Sequence, residues 1–145
     1  MSKANDGIEI STDSARFDLD LIHSFLSNCY WAAGIPRDVV QKSIERSLCF
    51  GVFDHGKQVG FARVITDRAT FAYLGDVFIV ESYRGRGLSK RLMEAIVAHP
   101  ELQNLRRWSL VTRDAHDLYA RFGFEPLPAP KRWMQKHDPN VYRKS

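Results

Sequence analysis

At 145 residues, with 44% hydrophobic and 26% charged side chains, the chain has the length and composition of one ordinary globular domain, not of a fibrous or disordered protein. Its formal charge of +4 suits an anionic ligand but selects no partner by itself. Cys29 and Cys49 form no CxxC pair, no apolar run approaches the roughly 20 residues needed to cross a bilayer, and no signal-peptide pattern is visible, so the expectation is a cytoplasmic protein with two reduced thiols and no membrane partner.

In chain order, Met1 to Gly7 are polar and read as loose chain, and Ile8 to Ser11 suits a short first strand. A helix follows, because Ile22, Phe25, Leu26 and Cys29 fall at i, i+3, i+4 and i+7, with Asp18 placed to cap it and Asp20 in its first turn. Gly34 and Pro36 break that helix, leaving Tyr30 and Trp31 on a loop. Pro36 then opens a second helix that buries Val39, Val40 and Ile44. From Leu48 the apolar period becomes that of strands. Leu48–Phe53 and Val59–Ile65 flank the turn cluster Asp54-His55-Gly56-Lys57, and Asp67-Arg68-Ala69-Thr70 turns the chain into a third strand, Phe71–Val80, which predicts three antiparallel neighbours.

The next segment concentrates the chemistry. Val77-Phe78-Ile79-Val80 ends a strand, Arg84, Gly85, Arg86 and Gly87 follow at once, and Leu88, Leu92, Met93, Ile96 and Val97 then form a helical stripe. A helix N-terminus offers unpaired N–H groups and the positive end of its dipole, glycine lets a ligand approach the backbone, and arginine pairs with phosphate oxygens. The loop therefore reads as a phosphate site, with a plain tight turn as the alternative. Walker spacing is absent, and the dinucleotide fingerprint fails because Lys90 stands where its third glycine belongs. Further on, Trp108–Val111 reads as a strand, and a short helix carries Ala115, Leu118, Tyr119 and Phe122 on one face, with Asp114 as its cap and Gly123 as its stop. Phe124 is expected to open a return strand, the prolines at 126, 128 and 130 to make an extended connector, and Trp133-Met134 to add a last edge strand. With no repeats and no inter-domain linker, residues 1–145 are expected to form a single domain.

Arg84-Gly85-Arg86-Gly87-Leu88-Ser89, preceded by Tyr83, resembles the R/Q-x-x-G-x-G/A acyl-CoA motif of the GCN5-related N-acetyltransferases (GNAT), with Ser89 in place of the usual Gly or Ala. Ala115 to Phe124 resembles the family's second signature, an Asn followed by A-I-x-L-Y-x-x-x-G-F, with Thr112 for the Asn and His116 for the Ile. The resemblance spans about Leu48 to Leu127. It implies an α/β (α+β) fold with a mixed, mostly antiparallel sheet and helices on both faces. It also implies transfer of an acetyl group from acetyl-CoA to a primary amine by direct attack in a ternary complex. Coenzyme A would lie along Phe78, Ile79 and Val80, its pyrophosphate in the loop Arg84, Gly85, Arg86, Gly87, Leu88 and Ser89. The N–H of Phe78 or Ile79 would meet the oxyanion, and Tyr119 would protonate the leaving thiolate. The acceptor, a small-molecule or peptide amine, would be chosen around the first two helices, where Phe25, Tyr30 and Trp31 are the candidates.

An alkylamine with a pKa near 10.4 must lose a proton before it attacks a thioester, so a base is needed. Asp76, a carboxylate inside an apolar strand, is the first candidate and Glu81 the second; the alternative for Asp76 is that it ties down backbone N–H groups at a bulge. His116 is either a proton relay or a packed imidazole. His23, His55, His99 and His137 show no metal-ligand spacing, so no metal is expected. Two other readings stand beside the enzyme: a coenzyme A-binding module without catalysis, and a basic nucleic-acid-binding domain using Arg84, Arg86, Lys90 and Arg91. Convergence of those arginines on one helix N-terminus favours a single pyrophosphate, and no nucleic-acid partner is expected. A monomer or homodimer fits this size.

Overall fold

The alternating apolar residues from Leu48 onward fold as a meander. In the computed structural model, which describes residues 6–143, β2 (Leu48–Asp54), β3 (Lys57–Thr66) and β4 (Phe71–Ile79) are antiparallel neighbours. The reading of loose chain at the N-terminus falls largely on residues 1–5, outside the described part. β1 (Ile8–Ser11) pairs antiparallel with β2, and β5 (Arg107–Leu110) pairs parallel with β4, giving a five-stranded mixed sheet in the order β1-β2-β3-β4-β5. The β2–β3 connection is a two-residue turn with positive φ at both His55 (49°) and Gly56 (87°), the geometry whose twist matches a hairpin.

Helices cover both faces. α1 (Leu19–Ser27) is capped by Asp18, whose side chain accepts the Leu21 N–H at 3.0 Å. α2 (Arg37–Glu45) has Pro36 at its N-cap, and it buries Val40 completely. Together they pack Ile22, Leu26 and Val40 on Cys49, Phe61 and Phe78. The residues next to these on the strands, Phe50, Ala62 and Ile79, point to the opposite face and meet Leu88, Leu92, Met93 and Ile96 of α3 (Leu88–Val97). The buried Gln58 fastens the two layers together: its Oε1 accepts the Asp18 N–H at 2.7 Å and its Nε2 donates to the Gly60 carbonyl at 3.0 Å. Both cysteines are free, and burial pushes the Cys49 thiol up to about 12, which keeps it unreactive. Among the described residues no helix is long and apolar enough to cross a membrane.

Three expectations for the C-terminal third are corrected. α4 spans His116–Ala120, so Asp114 is too early to cap it; instead the Thr112 hydroxyl accepts the Ala115 N–H at 3.0 Å. Gly123 does stop the helix. At φ 92° it closes a Schellman motif, with Phe124 N–H to the Tyr119 carbonyl and Gly123 N–H to the Ala120 carbonyl, both at 3.2 Å. Phe124 opens no return strand and Trp133-Met134 forms no edge strand; Pro130–Arg132 is a 3-10 turn, and no described residue after β5 belongs to the sheet. The prolines at 126, 128 and 130 lack the N–H donors a ladder needs, and this outweighs the β-propensity of the aromatic residues around them.

Candidate active site

The loop after β4 is built to expose backbone donors. A 3-10 turn, Glu81–Tyr83, reverses the chain, Gly85 and Gly87 adopt φ of 78° and 75°, and the first α3 bond runs from the Arg91 N–H to the Gly87 carbonyl. Among the described residues, none of the N–H groups from Gly85 to Lys90 meets an acceptor. A Cβ placed on Gly85 or Gly87 would meet no atom within 4 Å, so the space beside both glycines is open. Six successive donors at the positive end of a helix form a nest for an anion.

Side chains hold this loop in place. The Tyr83 hydroxyl donates to Asp54 Oδ2 at 2.5 Å, tying the loop to the β2–β3 hairpin; that bond and the neighbouring His55, 2.7 Å from Oδ1, keep the Asp54 carboxyl below its usual range. Arg86 lies over the Tyr83 ring at 4.5 Å, and Arg84 donates through Nε to the Ile79 carbonyl at 3.0 Å, the rest of its guanidinium meeting no partner among the described residues.

The strand preceding the loop separates from its neighbour. Pairing of β4 with β5 ends at Leu74 and Leu110, while β4 runs on to Ile79. Because the Val80 N–H bonds to the Val59 carbonyl, alternation along the ladder turns the Phe78 N–H toward β3 and the Ile79 N–H toward the open side. Of the two candidate oxyanion donors, Ile79 is therefore the one that faces the splay. Asp76 sits at a β-bulge with φ 54°. Its carboxylate, 12% exposed, accepts Arg63 Nε at 2.8 Å on one oxygen and the Trp31 indole N–H at 2.9 Å on the other. Backbone strain of this kind concentrates at functional positions. Glu81 is exposed on the 3-10 turn, and His116 is exposed at the start of α4.

The aromatic candidates converge on the same place. Phe25 stacks on Phe78 with centroids 3.9 Å apart, Tyr30 meets Trp31 edge-on at 5.2 Å, and Trp31 reaches the bulge through Asp76. Tyr119 is 8% exposed in the α3–α4 layer, its ring 6.0 Å from that of Phe124, and its hydroxyl has no hydrogen-bond partner among the described residues. Burial raises its pKa, so the phenol carries its proton at neutral pH. Sequence reasoning missed Arg63 and Arg113, whose guanidinium lies 4.1 Å from the centre of the Tyr30 ring. Arg63 left a signal, as a charged residue in the apolar run Val59–Ile65; Arg113 left none. A cavity of about 710 Å³ lined by Arg107, Trp108, Phe124 and Trp133 lies where β5 begins and α3 ends, and none of the residues from Phe78 to Ser89 lines it.

A mixed sheet with a bulged, splayed fourth strand, leading through an anion nest into a helix, defines an acyltransferase architecture. The profile of the Acetyltransferase (GNAT) domain matches residues 45–126, and the chain belongs to the GNAT family. A candidate acetyltransferase of Gibberella zeae is 32% identical, over 77% of this chain and 75% of that relative. A crystal structure of a candidate GNAT acetyltransferase from Xanthomonas campestris pv. campestris superposes with a TM-score of 0.91 at 55% identity, covering 93% of this chain and 96% of the other. A Clostridium acetobutylicum candidate acetyltransferase, whose structure is described with acetyl-CoA, shares the fold at a TM-score of 0.65 and 13% identity, covering 90% and 96% of the two chains.

Proposed function

We propose that the protein acetylates a primary amine, using acetyl-CoA as the acyl donor and direct attack in a ternary complex. The observation that carries this reading is the run of six N–H groups, Gly85 to Lys90, that have no partner among the described residues and follow, after one 3-10 turn, a strand whose outer edge is open. In this reading the nest and Arg84 and Arg86 hold the pyrophosphate, and the pantetheine arm lies against β4 as an added strand would. The Ile79 N–H receives the oxyanion that forms when the amine nitrogen attacks the thioester carbon. Asp76 first takes a proton from the acceptor's ammonium, directly or through water, which frees the lone pair that attacks. A carboxylate has about four lone-pair positions, and Arg63 and Trp31 occupy one on each oxygen. Tyr119 then gives its proton to the departing thiolate.

The test is a panel of amines incubated with acetyl-CoA while free thiol is followed, alongside thermal stability with acetyl-CoA and with a short oligonucleotide. Acetyl-CoA at about 100 times its dissociation constant should add about 2.7 kcal/mol to the folded state, and the oligonucleotide should add nothing. Asp76→Asn should lower turnover and leave acetyl-CoA binding intact. Stabilisation by acetyl-CoA without thiol release from any amine would leave a coenzyme A binder in place of an enzyme.

A further inference from the structure

Arg113 leaves the C-terminal end of β5, three residues past the last β4–β5 pair, and lays its guanidinium over the face of Tyr30 at 4.1 Å. Tyr30 belongs to the α1–α2 loop, and the next residue, Trp31, is bonded to Asp76 on the bulge of β4. The contact thus bridges the mouth of the splay, from the end of one strand to the bulge of the other. It is an open contact. Tyr30 is 60% exposed and Trp31 43% exposed, the two rings meet edge-on, and a small cleft of about 190 Å³ lies against them, with His137, Asp138, Tyr142 and Arg143 among its walls. Two aromatic faces with a carboxylate alongside and a cation already seated make up a cation-binding corner, and its present occupant is the chain's own arginine.

A cation on an aromatic face stays charged, whereas the nitrogen that attacks a thioester must be neutral. One nitrogen cannot do both. We infer that the acceptor is a di- or polyamine whose non-reacting ammonium displaces Arg113 from Tyr30 while its other amine enters the splay at Asp76. The inference rests on the transferase reading above and names its substrate class. The covalent step balances without any further reagent. The reacting ammonium gives one proton to Asp76, which passes it to solvent; the free amine forms the C–N bond as the C–S bond breaks; the thiolate takes the Tyr119 proton, the second N–H proton restores Tyr119, and the other ammonium is unchanged.

The test compares putrescine and spermidine with n-butylamine as acceptors, by kcat/KM from thiol release, and measures spermidine binding by calorimetry in the wild type and in Tyr30→Leu. The wild type is expected to prefer the polyamines by less than the roughly 3- to 30-fold of one cation–π contact, because the Arg113 contact is given up, and Arg113→Gln to reach that size. The preference should collapse in Tyr30→Leu, while Arg113→Gln, which removes the internal competitor, should lower the spermidine KM. Equal kcat/KM for mono- and polyamines, or a preference that survives Tyr30→Leu, overturns the inference and leaves the transferase standing. If no amine releases thiol, the transferase reading falls and calorimetry decides the corner alone. Spermidine binding that is lost in Tyr30→Leu keeps the cation site, and absent or unaltered binding removes it.

Discussion

The ring of Tyr119 packs among core residues while its hydroxyl has no partner among the described residues, so the two parts of the side chain can be tested apart. Tyr119→Phe keeps the packing against Phe124, and its stability should change little. If the hydroxyl protonates the thiolate, turnover should fall about 10²-fold or more at nearly constant acetyl-CoA affinity, measured where chemistry limits the rate. The loss should shrink for thioesters with more acidic thiols, which need less help to leave. Tyr119 was legible because its place follows from short-range spacing within one helix. The setting of Asp76 was not. Its partners lie 13 and 45 residues away in sequence, and the positive φ that turns its carboxylate toward them has no local signature in a non-glycine residue.

The loop and α3 act as one element, and its pre-formed shape makes two further predictions possible. Gly87→Val forces a β-branched residue to φ 75° and places a side chain in the open space beside the loop, so coenzyme A binding should be lost in a protein that still folds; calorimetry with CoA checks it. Arg84→Ala and Arg86→Ala should weaken acetyl-CoA by about 1.5 to 3 kcal/mol each where the phosphate contact is well formed. Acetyl-pantetheine, which lacks the pyrophosphate, should lose much less. A uniform loss across both thioesters would mean that the arginines act on the loop's shape, through the Ile79 carbonyl and the Tyr83 ring that they already contact. This element was read correctly from strand, glycines and helical stripe. Its fastening to the hairpin through Tyr83 and Asp54 was not, because that bond joins residues 29 apart.

For the molecule as a whole, the acid limb of stability has an identifiable contributor in the turn between β3 and β4. Asp67 accepts the backbone N–H and hydroxyl of Thr70 and the N–H groups of Ala69 and Phe71, and these bonds hold its carboxyl far below the usual range. A depressed folded-state pKa means stabilisation that is complete above the unfolded value of about 3.9 and disappears as pH falls toward the folded one. Asp67→Asn should therefore lower the urea midpoint at neutral pH, and its deficit against the wild type should narrow as both are acidified below about pH 4. The antiparallel meander β2–β3–β4 followed from alternation and turn chemistry, whereas the partners of β1 and β5 carried no such local signal. The C-terminal third did not follow either, because aromatic residues were weighed as strand formers where three prolines prevent a ladder.

The bond from the Trp31 indole to Asp76 also gives the protein a built-in spectroscopic probe. Only three tryptophans are present in the sequence, so a nitrogen-15 spectrum should contain three indole resonances. The one donating to a carboxylate should sit downfield and exchange slowly with solvent. Any molecule that enters the splay and disturbs the bulge must move that single signal, so candidate acceptors can be sorted by titration before any of them is shown to react.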